Sequence, residues 1–318
     1  MSTATTRRTA VAILAVTAAA WGRAQSPSPL RIGFQKGSLN LALLKSYGLL
    51  EQRLPGTRVQ WIEFPAGPQL LEALALGSVS FGATGDAPPV FAQAAGKDVV
   101  YVGAEPPKPD SSALLVRPDS PLTTLADLKS HPGTRIALQK GSSAHFLTVQ
   151  AVKKAGLSWA DIQPVYLAPA EARAAFERGA VDVWAVWDPY YAAAELTGEL
   201  RTLSTSRGLT NNNTFYLASR ALSRDTALLQ TLFQALTDTD ARARREPRDA
   251  VQRYAEFAGL PPATVQRMVE RRGAAPVGPL TPELVSDQQL VADTFTALGL
   301  IPRSIRVADA IATPLKKA

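Results

Sequence analysis

The 318-residue chain has no cysteine and only two histidines, His131 and His145. Without cysteine there are no disulfides and no thiol nucleophile, so core packing alone holds the fold. His131 falls in a turn before Pro132-Gly133, which leaves one candidate histidine and no cysteine for a zinc site of the usual ligand types, so neither a metal nor a cofactor is expected. No G-x-S-x-G nucleophile elbow and no phosphate-binding P-loop occurs. No segment supplies the roughly eighteen consecutive apolar residues of a membrane-crossing helix.

Acidic residues are missing from the first 24 positions. There Arg7 and Arg8 precede the apolar run Ala10 to Ala20, and Gly22 and Ala24 frame a cleavage site before Gln25. This is the layout of a signal peptide, so residues 1–24 are expected to direct export to the periplasm and be removed. The twin arginines suit the folded-protein (Tat-like) route, and Sec export stays open. Losing Arg7, Arg8 and Arg23 takes the formal charge from +7 to +4. The remaining basic residues are scattered rather than striped, which argues against nucleic acid as a partner.

What is present points to two α/β cores. The length exceeds that of a usual single domain, and 46% of the residues are hydrophobic. Short β-type runs (Arg31 to Phe34, Val59 to Phe64, Val79 to Thr84, Val99 to Gly103) alternate with helical patterns (Leu39 to Leu44, Leu70 to Leu76). Such alternation predicts parallel strands covered by helices. Gly77 is placed to end the second helix.

The chain then repeats itself. Arg31-Ile32-Gly33-Phe34-Gln35-Lys36-Gly37-Ser38 is echoed 104 residues later by Arg135-Ile136-Ala137-Leu138-Gln139-Lys140-Gly141-Ser142. Gly77, Val79, Phe81, Ala83 and Asp86 return 102 residues later, with the same spacing, as Gly179, Val181, Val183, Ala185 and Asp188. Two blocks with nearly equal offsets predict a duplicated lobe. Ligands of open α/β sheets bind at the C-terminal strand edges. Two facing lobes therefore bring four loops to one cleft: 35–38, 85–88, 139–143 and 187–190. The helix-rich sequence after Ala221 is expected to return to the first lobe and brace it.

These loops suit an anion, because amides at a helix start and serine hydroxyls donate hydrogen bonds. Ser38 and Ser142 can equally be plain N-caps, or do both, since a cap uses the oxygen and leaves the hydroxyl proton free. Asp188, directly before Pro189, and Asp86, before Ala87-Pro88-Pro89, read first as helix caps; contact with a ligand's distal amine is the other reading. Alternation puts Trp184 and Trp187 on opposite faces, with Trp187 a candidate apolar wall and Tyr190 just beyond it. His145 sits in the first turn of its helix and can line the cleft, whereas His131 falls in a turn.

The segments Trp61 to Glu72, Gly82 to Asp86, Tyr101 to Pro109, Gln139 to Ser143 and Ala185 to Tyr191 resemble the aliphatic sulfonate-binding proteins of bacterial ABC transporters. The resemblance samples most of residues 31–195 and little beyond Ala221. It implies a two-lobed (type II) periplasmic binding protein fold, with lobe I from residues 25–113 and 218–318 and lobe II from 114–217. Strands would cross between the lobes near Ala113 to Val116 and Thr214 to Ser219. It places the binding loops at Gln35, Gly85, Asp86, Ser142, Ser143, Trp187 and Asp188, to which the residue-level reading adds His145 and Tyr190. It further implies a monomer that carries an alkanesulfonate to an inner-membrane permease. Taurine, aromatic sulfonates and nitrate are the alternative ligands. An enzyme is the rival class, but the sulfinate desulfinases similar to this family use a cysteine that this chain lacks. A sulfonate bears three acceptor oxygens and no proton, so a pocket of donors is expected, without a required lysine.

Overall fold

The computed structural model describes residues 29–312; the expected signal peptide lies outside them. Ten strands form two five-stranded sheets. The first contains β1 (Leu30–Phe34), β2 (Val59–Glu63), β3 (Phe81–Gly85), β4 (Val100–Glu105) and β10 (Thr214–Ala218) in the order β2-β1-β3-β10-β4. The second contains β5 (Ser112–Val116), β6 (Arg135–Leu138), β7 (Gln163–Tyr166), β8 (Val183–Trp187) and β9 (Arg201–Thr205) in the order β7-β6-β8-β5-β9.

The two orders are the same pattern. β1 is parallel to β2 and β3, as β6 is to β7 and β8. In each sheet one antiparallel strand is inserted fourth, and it comes from the other half of the chain: β10 in the first, β5 in the second. The repeated sequence blocks occupy matching places, with Gly77 (φ +73°) and Gly179 (φ +70°) in the left-handed conformation just past a helix end.

The lobe crossings fall a few residues away from the expected ones. Ser112–Val116 already pairs fully within the second sheet, and Thr214–Ala218 within the first. The chain changes lobes instead in segments 106–111 and 206–213. Pro106, Pro107 and Pro109 lack the N–H that a central strand needs. The apolar runs beside these segments are buried on both faces and take two neighbours each. The first sheet draws its strands from residues 30–105 and 214–218 and the second from 112–205, and each sheet with the helices packed on it is taken as one lobe.

Both faces of the first sheet are covered. Ile32, Phe34, Phe81 and Tyr216 pack against Leu229, Leu232 and Leu236 of the helix Thr226–Arg245. On the other face Tyr101, Phe215 and Leu217 meet Leu70, Val90 and Phe295. Phe295 belongs to the helix Pro282–Ala297, so the C-terminal segment does brace lobe I. It also does more: the helix Pro262–Arg272 runs to lobe II and packs on Tyr190–Glu195.

Candidate functional site

All four expected loops line one cavity between the lobes. Gln35, Gly37 and Ser38 follow β1, and Gly85 and Pro88 follow β3. From lobe II come Ser142 and Ser143 after β6, and Trp187 and Asp188 after β8. The Gln35 side chain donates to the Ala83 carbonyl (3.0 Å), which fixes it across the strand ends of lobe I.

The lobes are in contact around this cavity. A Cβ on Gly37 would stand 2.8 Å from the Asp188 carbonyl oxygen, and one on Gly85 would meet the Ser143 hydroxyl. Glycine at these two positions lets the facing loops touch.

The two serines differ. Ser38 Oγ makes no cap bond to its helix and accepts instead from Gln35 N (3.3 Å). Ser142 Oγ accepts from His145 N (3.4 Å) and donates to the Gln139 carbonyl (2.7 Å). Its proton is thus engaged rather than free, because the turn before the helix offers a carbonyl three residues back.

Asp86 caps the helix Ala87–Ala94 by accepting from Ala87 N (2.8 Å), with Pro88 and Pro89 in the first turn. It is not part of the cavity wall. Burial pushes its carboxyl up, and the Ser143 hydroxyl partly offsets that. Asp188 does line the cavity. It stands one residue outside the cap position, where Pro189 sits, and accepts from Ala192 N (2.9 Å). Burial pushes its carboxyl up to about 6 against the pull of the Arg271 guanidinium.

His145 and Tyr190 do not line the cavity. His145 is wholly buried, with Phe91 and Phe295 of lobe I on one side and Trp159 and Tyr166 of lobe II on the other. Its Nδ1 accepts from Gly141 N (3.2 Å), and burial pushes the imidazole down to about 3, so it is neutral. The adjacent Phe146 and, one turn along the helix, Val149 pack into the same apolar cluster as Phe295. Tyr190 packs edge-on against Trp187, at 6.2 Å between ring centroids, and supports the wall from outside. Trp184 is buried on the opposite face of β8 against Phe176.

Sequence reasoning missed the cavity floor, which is built by the lobe crossings and the C-terminal helices. Glu105, Lys108, Ser111 and Arg272 all line it. Glu105 accepts from Tyr216 OH (2.8 Å) and Asn40 Nδ2 (3.1 Å) and pairs with Arg272 Nη2 (2.7 Å). Lys108 contacts the Thr214 hydroxyl, and burial pushes its ammonium down to about 8, with Glu105 opposing. Two buried donors on this floor, Ser111 Oγ and Arg272 Nε, have no protein partner. The Glu105-Pro106-Pro107-Lys108-Pro109 run was the available signal, since prolines around a lone lysine mark a fixed crossing; Arg272 had none. The expectation of donors alone is also corrected. Two carboxylates line it: Arg272 pairs with Glu105, Arg271 from outside the lining pairs with Asp188, and Lys108 is the lining cation that pairs with no carboxylate among the described residues.

Residues 48–267 match the family described as the phosphonate-type periplasmic substrate-binding protein of ABC transporters. The chain is 45% identical over 303 residues to an aliphatic sulfonates-binding protein of Escherichia coli (strain K12), covering 95% of this chain and 94% of that one. Its fold is similar to that of the alkanesulfonate-binding protein SsuA from Xanthomonas axonopodis pv. citri bound to MOPS: TM-score 0.86, 47% identity, 91% of this chain and 99% of that chain. The periplasmic aliphatic sulphonate binding protein SsuA from Escherichia coli gives a TM-score of 0.83 at 44% identity, covering 92% and 95%. A two-lobed fold with one cavity at the strand ends, and relatives matched over nearly their full length, place this chain in the family of periplasmic substrate-binding proteins of ABC transporters.

Proposed function

We propose that this chain captures alkanesulfonates between its lobes in the periplasm and hands them, as a monomer, to the permease of an ABC importer. The observation that carries the reading is the set of unspent donors on the cavity floor: Ser111 Oγ and Arg272 Nε, buried without protein partners, beside the Lys108 ammonium. An unpaired buried donor costs about 1–3 kcal/mol, so a ligand rich in acceptors gains where an apolar molecule would not. A sulfonate supplies three acceptor oxygens and a charge that matches the Lys108 ammonium. Trp187, in the opposite wall, offers an apolar surface to the alkyl tail. Hydrogen bonds to charged groups contribute about 1.5–3 kcal/mol each. Micromolar capture needs about 8 kcal/mol, within reach of four or five such bonds after association costs.

Support for binding rather than catalysis comes from the relatives at 45–47% identity, which are named as binding proteins. The family description names phosphonate, whereas these relatives are named for sulfonates. A phosphonate takes a second negative charge near neutral pH, which places more charge beside Glu105 and Asp188 than a sulfonate does. Calorimetry on the purified protein tests the reading with butanesulfonate, taurine, methylphosphonate and nitrate. Micromolar heats are expected with butanesulfonate. No signal with any sulfonate, alongside strong binding of nitrate or methylphosphonate, would replace it.

A further inference from the structure

The helix Pro262–Arg272 ends in two consecutive arginines that serve different places. Arg272 turns into the cavity and holds Glu105 at 2.7 Å. Arg271 reaches across to lobe II. Its Nη1 lies 3.0 Å from Asp188 Oδ1, its Nη2 pairs with Glu195, and its guanidinium stacks 3.7 Å from the Tyr191 ring centroid. Arg267, one turn earlier, adds a second contact to Glu195 at 2.8 Å. The Arg271 and Asp188 side chains are 6% and 4% exposed, so solvent and salt screen the pair weakly. All three partners of Arg271 lie in the loop that follows β8 and the helix after it, continuous with the strand end that carries Trp187 to the cavity wall.

We infer that Arg271 is an interlobe clamp, a positioning residue that fastens the β8 ligand loop of lobe II to lobe I and so sets how long a captured anion is retained. Opening the lobes separates the guanidinium from Asp188, Glu195 and Tyr191 together, so release carries the cost of all three contacts at once. Capture from the open form does not require them beforehand. Truncating one member of a buried charge pair acts mainly on dissociation, and the expected effect falls there. Because Arg272 is the next residue, the helix end that senses the cavity is also the one that locks it.

The inference rests on the anion-capture reading, and the test separates the two. Stopped-flow tryptophan fluorescence with butanesulfonate follows binding, with Trp187 the tryptophan in the cavity wall. Arg271→Ala is expected to raise the dissociation rate by about tenfold or more and to leave the association rate within about twofold. Arg271→Lys should recover part of the loss, since it restores the charge without the bidentate fork. Glu195→Gln attacks the same clamp from lobe II at a residue outside the cavity, and its effect should not add fully to that of Arg271→Ala. Unchanged dissociation in both single variants, or a loss confined to association, overturns the clamp. The cysteine-free chain also accepts spin labels at Ser78→Cys and Arg178→Cys, exposed positions in the two lobes. Arg271→Ala should shift their separation to longer distances without any ligand added. If the wild type binds no sulfonate, the capture reading fails and this distance alone decides the clamp: an unchanged distribution rejects it.

Discussion

Gly37 shows how one residue type can decide whether two lobes meet. Its φ is not left-handed, so the backbone there tolerates a side chain; the obstacle lies in the opposite lobe. A methyl group at that position would sit 2.8 Å from the backbone oxygen of Asp188 and 3.5 Å from the Trp187 ring, and a backbone atom cannot rotate away. Gly85 differs, because a Cβ there would meet the Ser143 hydroxyl, which can turn aside. Gly37→Ala is therefore expected to hold the loops apart at a cost of about 1–3 kcal/mol to closure. The obstacle comes from the facing loop and not from lobe I itself, so the melting temperature without ligand should stay near the wild-type value. Calorimetry with butanesulfonate then reads the closure cost as weaker binding. Equal loss of stability and affinity would mean that Gly37 serves the fold of lobe I instead.

Among the elements, the helix Ser143–Lys154 shows where a cap ends and a ligand site begins. Ser142 spends its acceptor on His145 N and its proton on the Gln139 carbonyl. Ser142→Ala should cost about 1 kcal/mol of stability, as loss of a cap does, measured as a lower denaturant midpoint. The accompanying change in sulfonate affinity should be smaller than that of Gly37→Ala; a larger one would return the hydroxyl to the ligand. What was legible in the sequence follows the same division. The duplicated blocks carried enough information to place four loops at one cleft, because strand, glycine and serine recur at fixed spacing. The runs SALLV and TFYLA are apolar enough to be linking strands, and only pairing shows which sheet takes them. The helical position of His145 is compatible with the cleft, while the aromatic rings that enclose it come from residues 91, 159, 166 and 295, which its own helix does not announce. Lys108 and Arg272 lie outside the repeat, and nothing local in the chain announces that segments 106–111 and 262–272 meet over one floor.

At the scale of the whole molecule, the titratable groups that close around the cavity give a pH dependence with a definite sign. Asp188 belongs to lobe II, and its carboxyl is pushed from 3.8 up to about 6, chiefly by burial. A carboxyl raised in this way costs free energy while it is charged, and the cost fades as pH falls through about 6. An anion placed beside it adds repulsion, so binding favours the protonated form. Lys108 belongs to the crossing between the lobes, and burial lowers it from 10.5 to about 8. It loses its charge as pH rises through about 8, and an anion beside it favours the charged form, so binding takes up protons there. Both signs agree. Butanesulfonate affinity should fall as pH rises, once near 6 and again above 8, although the ligand's own charge is constant throughout. His145 contributes nothing in this range, because burial between the lobes holds it down to about 3. Calorimetry at pH 8.5 in two buffers of different ionisation heat should show net proton uptake on binding, and Lys108→Met should abolish it while leaving the step near 6. A profile flat from pH 5 to 9 would place the anion away from both groups, at the helix starts of the four loops alone.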